Sequence, residues 1–188
     1  MSVKPLFVSF SGGRSSAVMA KLCVDECKAR QRQVCVLFAN TGCEHEATLK
    51  FVSDCDRAFN LGVTWIEAVT NDAGKGQTAK VVNFDSASRN GEPFEAAIKK
   101  YGVFNKSYPN CTGRLKTEPM HWYVRNVIGW KKGNYETAVG IRADECDRIS
   151  KHATRNAIVY PLVKHGIGKT QVNEIMRRYP FEIGRAHV

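Results

Sequence analysis

The sequence lacks any run of about 18 apolar residues, the length that a helix needs to cross a membrane. It also lacks a signal-peptide pattern, because Lys4 is followed by only a short apolar run. Its seven cysteines stand at irregular spacings without a secretory context, so disulfides are not expected. We therefore expect a cytoplasmic protein with free thiols and no membrane partner.

Two familiar phosphate-binding signatures are missing as well. The Gly168-Lys169-Thr170 sequence imitates the end of a Walker loop, but the earlier glycine is not at the required spacing. The third glycine of a dinucleotide fingerprint is absent after the first predicted strand. These absences exclude both loop types, and we expect Gly168 to begin a helix.

The composition is that of one globular domain. The chain has 188 residues, of which 43% are hydrophobic and 24% are charged. Its net charge of +10 favours an anionic partner, such as a nucleotide, a sulfate ester or nucleic acid. The basic residues are dispersed, however, and dispersed lysines also suit plain solubility, so the charge alone leaves both interpretations open.

The most informative stretch lies between a predicted strand and a predicted helix near the N-terminus. Residues 6–10 are apolar, an apolar helical pattern begins at Ala17, and residues 11–16 read Ser-Gly-Gly-Arg-Ser-Ser. A strand, a glycine loop and a helix start present free backbone N–H groups to a phosphate. We expect an oxyanion site here, with a structural turn as the alternative.

The remaining pattern predicts an α/β fold. An apolar run at residues 34–39 and strand-like stretches at 63–69 and 135–141 alternate with helical segments, which predicts a doubly wound, mostly parallel five-stranded sheet with helices on both faces. Polar residues follow the strands at positions 40–42 and 142–145, where open α/β sheets bind ligands. A further helix is expected over 117–128 with Thr117 as its N-cap, beside the cations Arg114 and Lys116.

Residues 9–16 resemble the PP-loop (S-G-G-x-D-S) of the N-type ATP pyrophosphatases. The closer resemblance is to the phosphoadenosine phosphosulfate (PAPS) reductase-like branch, which includes many phage and prophage proteins. Further similar stretches lie at residues 38–42, 110–113 and 140–145, in the same order along nearly the whole chain. The resemblance implies an adenine nucleotide alpha hydrolase-like fold. Ser15 stands where the usual loop has Asp, which counts against Mg–ATP chemistry but not against phosphate or sulfate binding.

The resemblance also implies a set of site residues. The nucleotide's phosphates are expected on the loop and its adenosine near the turn after the second strand. Arg89 lies in a Ser-Arg-Asn-Gly-Glu-Pro-Phe stretch that family members share, and is a candidate substrate contact. Asp144 and Glu145 either order the arginines or hold Mg²⁺. The expected nucleotide- and phosphate-binding residues are Ser9, Ser11, Gly12, Gly13, Arg14, Ser15, Ser16, Asn40, Thr41, Gly42, Arg89, Arg114, Lys116, Gly140 and Arg142.

Cys111 is the candidate catalytic residue. Its surroundings are similar to the C-C-x-x-[RK]-K segment of sulfonucleotide reductases, whose iron–sulfur members use the paired cysteines and a later C-x-x-C. Here Asn110 replaces the first cysteine and no C-x-x-C follows, so an iron–sulfur cluster is not expected. Cys111 is then a catalytic thiol, a lone remnant ligand or a packed cysteine, and its basic neighbours are expected to lower its pKa.

The function implied by the resemblance is reduction of the sulfate group of PAPS or adenosine phosphosulfate (APS) to sulfite, with a thioredoxin-like dithiol as donor. One alternative is an ATP-dependent adenylyl or sulfur transferase that acts on nucleic acid. Another is a nucleotide-binding module without turnover. The bound nucleotide is expected to be PAPS, PAP or ATP, and the oligomeric state is left open, with a homodimer among the options.

The last residues look foreign to the domain. Residues 182–188 are similar to a translated sequencing-adapter read, and family members continue past Phe181 with an Asn-Cys-x-x-Cys-like element. We expect the nucleotide-binding domain to occupy residues 1–181 and the rest to be a non-native tail. On this hypothesis the sequence is a truncated metagenomic reading frame, and further essential cysteines lie in the missing part.

Overall fold

The computed structural model describes residues 3–71, 74, 76–104 and 111–179. Within them, one sheet contains β1 (Leu6–Ser9), β2 (Val34–Asn40), β3 (Val63–Thr70), β4 (Gln77–Val82), β5 (Glu136–Ala138) and β6 (Ile158–Val159). The helices are α1 (Arg14–Ala29), α2 (Glu46–Phe59), α3 (Glu92–Tyr101), α4 (Glu118–Asn126), α5 (Pro161–Lys164) and α6 (Lys169–Arg177). A π-helical turn (Gly113–Thr117) leads into α4, and a 3₁₀ turn (Ala143–Arg148) follows β5. Asn110 and the predicted tail at 182–188 lie outside the described residues.

The sheet has the strand order β4-β3-β2-β1-β5-β6. Every neighbouring pair is parallel except β3 and β4, which are antiparallel. The predicted doubly wound, mostly parallel architecture is confirmed, but the predicted number of five strands was one too low. The missed strand is β6, which has only two residues because Pro161 begins α5 almost at once.

The two faces of the sheet follow from the alternation of side chains along β1. Leu6 and Val8 pack on one side among the residues of α1 and α2, whereas Phe7 packs on the other among those of α4. Both sides are therefore covered by helix, at least over the central strands. None of the helices in the described ranges is long and apolar enough to span a membrane.

The strand order reverses between β1 and β5. From β1 the chain moves outward through β2 and β3, then returns to the other side of β1 to form β5 and β6. Two neighbouring loops thus leave the sheet in opposite directions at its carboxyl edge, and the crevice between them is where such sheets bind ligands. The glycine loop after β1 and the segment that contains Arg142 meet at this point.

Candidate nucleotide-binding site

The loop after β1 is held together from inside by the buried hydroxyl group of Ser16. Its Oγ accepts hydrogen bonds from the backbone N–H groups of Ser11 and Gly13, both at 3.2 Å. It donates to the carbonyl oxygen of Gly13 at 2.8 Å, and the Ser11 hydroxyl lies 3.0 Å away. Ser16 therefore shapes the loop, and its hydroxyl does not face outward as a ligand donor.

Three other N–H groups of the loop have no protein acceptor among the described residues. The first backbone hydrogen bond of α1 runs from the Ala17 N–H to the Gly13 carbonyl oxygen, at 3.0 Å. Across the described ranges, the N–H groups of Gly12, Arg14 and Ser15 have no hydrogen-bond partner. They lie at the positive end of the helix dipole, so the loop offers a cluster of donors to an anion.

The two glycines of the loop differ in why the structure favours glycine at their positions. Gly12 has a φ of +79°, and a Cβ there would lie 2.8 Å from Cγ2 of Thr48. Gly13 has an ordinary φ, and the nearest atom to a Cβ there is the Ser11 Oγ at 3.9 Å. Gly12 is thus required by the fold. The open space at Gly13 is available to a ligand beside the free N–H groups.

Arg142 joins the two loops at the switch point. Its Nη1 donates to the Ser15 hydroxyl at 3.3 Å, although the two residues are 127 positions apart. Gly140 permits this approach, because a Cβ there would lie 3.1 Å from the Cα of Ser16. A guanidinium group is thereby placed beside the donor cluster of the loop, where it can bind phosphate or sulfate oxygens.

Asp144 and Glu145 hold Arg142 in place. The Asp144 Oδ1 accepts from Nε of Arg142 and from the backbone N–H of Lys169, both at 3.0 Å. Glu145 pairs with Arg142 and, at 2.8 Å, with Arg148. Hydrogen bonding by Arg142 lowers the pKa of the Asp144 carboxyl. Both carboxylates are thus paired with arginine side chains. A Mg²⁺ ion bound here would need further ligands such as nucleotide phosphates.

The turn after β2 depends on a buried polar network that the sequence pattern did not reveal. Asn40 donates to the Glu67 Oε1 at 2.7 Å and to the Ser88 carbonyl oxygen at 2.8 Å, and its own oxygen accepts from the Gly42 N–H. Glu67 is fully buried, and it also accepts from the Ser88 backbone and hydroxyl and pairs with Lys80 at 3.0 Å. Asn40 thus supports the turn. The carboxylate in the middle of the buried strand β3 was the sequence signal for this network.

Thr41 and Lys116 meet at Glu44. The Thr41 hydroxyl donates to Oε1 of Glu44 at 3.2 Å, and Lys116 Nζ lies 2.9 Å from the same oxygen. This contact brings the π-helical turn to the edge of the sheet beside β2. The helix α2 is capped by His45, whose Nδ1 accepts from the Ala47 N–H at 3.1 Å, and not by Thr41.

The prediction that Thr117 caps a helix was wrong. Thr117 has helical backbone angles and its side chain makes no capping hydrogen bond, because the π-helical turn continues directly into α4. Arg114, within that turn, contacts both carboxylate oxygens of Glu118 at 2.7 and 2.8 Å and lies over the Tyr101 ring at 4.3 Å. The cations Arg114 and Lys116 are therefore each paired with an acid, Glu118 and Glu44 respectively.

The expectation of a lowered pKa at Cys111 was also wrong. Partial burial raises the pKa of this thiol, and the opposing effect of Lys116 does not outweigh it. Cys43 and Glu44 act in the same direction as burial. Cys111 is accordingly a neutral thiol at pH 7 in the structure described here.

Arg89 is held by contacts within the protein. It donates to Glu46 at 2.7 Å and to the carbonyl oxygens of Ala87 and Phe84 at 2.8 and 2.9 Å. Its guanidinium also lies 5.1 Å from the centre of the Phe84 ring. These bonds connect the segment before α3 to α2. They explain the position of the Arg89 side chain without a contact to substrate. Two other predicted residues have internal partners as well, since Ser9 contacts the Met120 sulfur and Arg14 contacts Asn173.

Comparison with known proteins identifies the family. The profile of the Phosphoadenosine phosphosulfate reductase domain matches residues 5–157. The chain belongs to the phosphoadenosine phosphosulfate reductase domain family. It is 34% identical over 146 residues to an uncharacterized nin region protein of Escherichia phage lambda, a match that covers 76% of this chain and 49% of the phage protein. It is 30% identical over 146 residues to an uncharacterized protein of Methanocaldococcus jannaschii, covering 76% of this chain and 24% of that protein.

The chain therefore spans about half or less of the curated relatives that it matches. As a PAPS reductase-family domain it is a PP-loop-type nucleotide-binding domain, and the phage relative agrees with the predicted phage-type branch. The family match covers β1 to the end of the 3₁₀ turn and beyond, so the glycine loop, the turn after β2 and Arg142 all lie within it.

Proposed function

We propose that this domain binds an adenine nucleotide with its phosphate or sulfate oxygens on residues 11–16. The observation that carries the proposal is the cluster of unpartnered N–H groups at Gly12, Arg14 and Ser15, next to the open space at Gly13. Arg142 supplies a fixed positive charge at the same place. Together they provide directional donors and a cation for an oxyanion at the switch point of the sheet.

The reaction that we propose is reduction of a sulfonucleotide such as PAPS. A thiolate attacks the sulfate sulfur, an S–S bond forms, and the S–O bond to the phosphate breaks with its electron pair leaving on PAP. A thioredoxin-like dithiol then attacks the enzyme sulfur, releases sulfite and is itself oxidised to a disulfide. In this reaction Arg142 and the loop N–H groups stabilise the negative charge of the departing phosphate.

Cys111 is the nucleophile that we propose among the described residues. It lies within electrostatic reach of Lys116, which favours its thiolate form. Because burial keeps the thiol neutral, release of Lys116 from Glu44 on nucleotide binding would be needed to increase the thiolate fraction.

The experiment is calorimetry with PAPS, APS, PAP and ATP, followed by a sulfite-release assay with reduced thioredoxin. Preference for PAPS or PAP together with sulfite release supports the reductase. Preference for ATP with pyrophosphate release contradicts it and supports the adenylyl or sulfur transferase. Binding without turnover supports a nucleotide-binding module, and no binding of any of the four contradicts the nucleotide site itself.

A further inference from the structure

A groove of about 530 Å³ runs over the side of β5 and β6 that α4 leaves open. Phe7, Ser9, Tyr135 and Thr137 line it, because these alternate residues of adjacent strands share one face of the sheet. The helix α4 packs over β2, β3 and β4 and supplies only one wall. The groove thus starts at Ser9, directly before the glycine loop, and runs toward the opposite edge of the sheet.

The groove is basic, with one neutralised acid. Arg125, Lys132 and Arg155 contribute exposed cations to its lining. Among the described residues, the only acidic side chain that lines the groove is Glu118, whose two oxygens are bound by Arg114 at 2.7 and 2.8 Å. Across the described ranges Lys132 and Arg155 make no ion pair, and Arg125 uses Nε to bind the His121 carbonyl oxygen at 2.9 Å. The lining therefore has unpaired positive charge.

Two further polar groups lie in the wall of the groove. The His121 Nδ1 and the Tyr135 hydroxyl are 2.7 Å apart. Burial, Arg125 and Lys132 all lower the pKa of His121, so its ring is neutral at pH 7. Arg125 and Lys132 thus both act on a ring that lines the groove with them, and an anion beside that ring would be stabilised by both.

Close to Arg155, at the edge of the groove, one residue has an unfavourable backbone conformation. Ala157 has a φ of +52°, a backbone conformation that is unfavourable for a residue other than glycine. Its carbonyl oxygen accepts the Thr137 N–H at 2.8 Å, which fixes the strained residue to β5. This bond to β5 keeps Ala157, and with it the segment that carries Arg155, at the edge of the groove.

The basic path continues beyond the groove. Lys4 Nζ donates to the carbonyl oxygen of Gly133, a groove residue, at 2.8 Å. Lys4 also lines a neighbouring hollow with Pro5, Trp130 and Asn134. The half-buried Trp130 indole therefore lies in the hollow that Lys4 connects to the groove. Grooves that combine a row of cations with an aromatic ring suit a single nucleic-acid strand, whose phosphates and bases alternate along its length.

We propose that this groove binds a single strand of nucleic acid, with Arg125, Lys132 and Arg155 on its phosphates and Trp130 against a base. The proposal does not depend on nucleotide binding at the loop after β1, because none of these four residues belongs to that loop. Ser9 borders both sites, so a strand in the groove would end beside the nucleotide.

The test is fluorescence anisotropy with a labelled oligo(dT) of about 12 nucleotides. This length is within the range that one single-strand-binding domain covers. Three neutralised phosphates predict a slope of log K against log salt concentration of about −2. The double variant Lys132→Glu/Arg155→Glu is expected to weaken binding at least about tenfold and to flatten the slope by about 1.4.

The matched control is Arg177→Glu/Arg178→Glu, which changes the net charge equally at the C-terminal end of α6, on the other side of the sheet. Retained oligonucleotide binding in the control supports the groove. Equal weakening of both double variants, no binding by the original protein, or full competition by free dTMP would overturn the proposal. Calorimetry with PAP on Lys132→Glu/Arg155→Glu should be unchanged, which separates this test from the nucleotide site.

Discussion

Arg142 and Ser15 are joined by a hydrogen bond of 3.3 Å across the point where the strand order of the sheet reverses. One residue follows β5 and the other lies in the first turn of α1, so the bond connects the two halves of the doubly wound fold. Asp144 keeps the guanidinium in position from the other side. The arrangement is a preformed cation at the amino end of a helix, and its contribution can be measured.

We expect Arg142→Gln to weaken PAP binding by about 10- to 100-fold, because one charge-assisted hydrogen bond contributes about 1.5–3 kcal/mol. The measurement is calorimetry at fixed salt. Arg148→Gln is the matched control, since Arg148 pairs with the same Glu145 but is more exposed to solvent. Equal loss of affinity in both variants would show a general charge effect and remove Arg142 from the site.

Substitutions at the two glycines of the loop should affect different properties, one the stability of the fold and the other the binding of nucleotide. Gly13→Val is expected to fold normally, because the space around a Cβ there is open, but to lose nucleotide binding by filling that space. Gly12→Ala should destabilise the fold by about 1–3 kcal/mol, from the positive φ and the clash with Thr48. Thermal unfolding and calorimetry on both variants measure the two effects. Unchanged PAP affinity in Gly13→Val would exclude the loop from the site.

The sequence alone was sufficient to predict those elements of the fold that the local pattern of residues determines. The strands β1 and β2 are apolar up to their last residue, as expected of buried parallel strands, and polar residues and glycines mark their ends. Parallel topology predicted that the glycine loop and Arg142 lie at the same edge of the sheet, but their direct contact depends on β5 lying beside β1, which the sequence pattern did not predict. The strand β6 was not predictable in this way, because two residues carry no periodicity.

The partners of charged side chains could not be predicted from the same pattern. Lys116 pairs with Glu44, 72 positions away, and Arg89 pairs with Glu46, 43 positions away. Both cations were expected to face ligands because their partners are brought near only by the fold. The pKa of Cys111 was mispredicted for a related reason, since burial depends on the tertiary structure and outweighs the adjacent charge.

Glu67 should contribute to stability in a pH-dependent way. Burial alone would raise its pKa, but hydrogen bonds from Ser88, Lys80 and Asn40 outweigh burial and hold the pKa below the ordinary value of 4.5. A carboxyl whose pKa is lower in the folded state stabilises the fold above the unfolded pKa. That contribution is lost as the pH falls through the folded-state pKa. We expect Glu67→Gln to lower the free energy of unfolding by about 2 kcal/mol at pH 7.

Urea unfolding of both proteins between pH 3 and pH 7 measures this contribution. The difference between them should be constant above about pH 5.5 and shrink below about pH 4. Glu136→Gln is the control, because the half-exposed pair of Glu136 with Arg32 should contribute only about 0.5 kcal/mol. A Glu67→Gln difference that does not change with pH would contradict an ionised Glu67 in the folded state.

The raised pKa of Cys111 predicts slow alkylation near neutral pH. Because only the thiolate reacts, its rate with iodoacetamide should keep rising beyond pH 9.0, the ordinary value for the group. Cys23, Cys35 and Cys55, whose pKa values burial raises to about 12, should stay unlabelled in the folded protein.

Peptide mass spectrometry of timed samples distinguishes the sites, with Cys111→Ser to confirm the assignment. A rate at Cys111 that levels off by pH 8 would show a stabilised thiolate and contradict the effect of burial. If added PAPS instead shifts this rate profile to lower pH, nucleotide binding activates the thiol, as the proposed release of Lys116 from Glu44 requires.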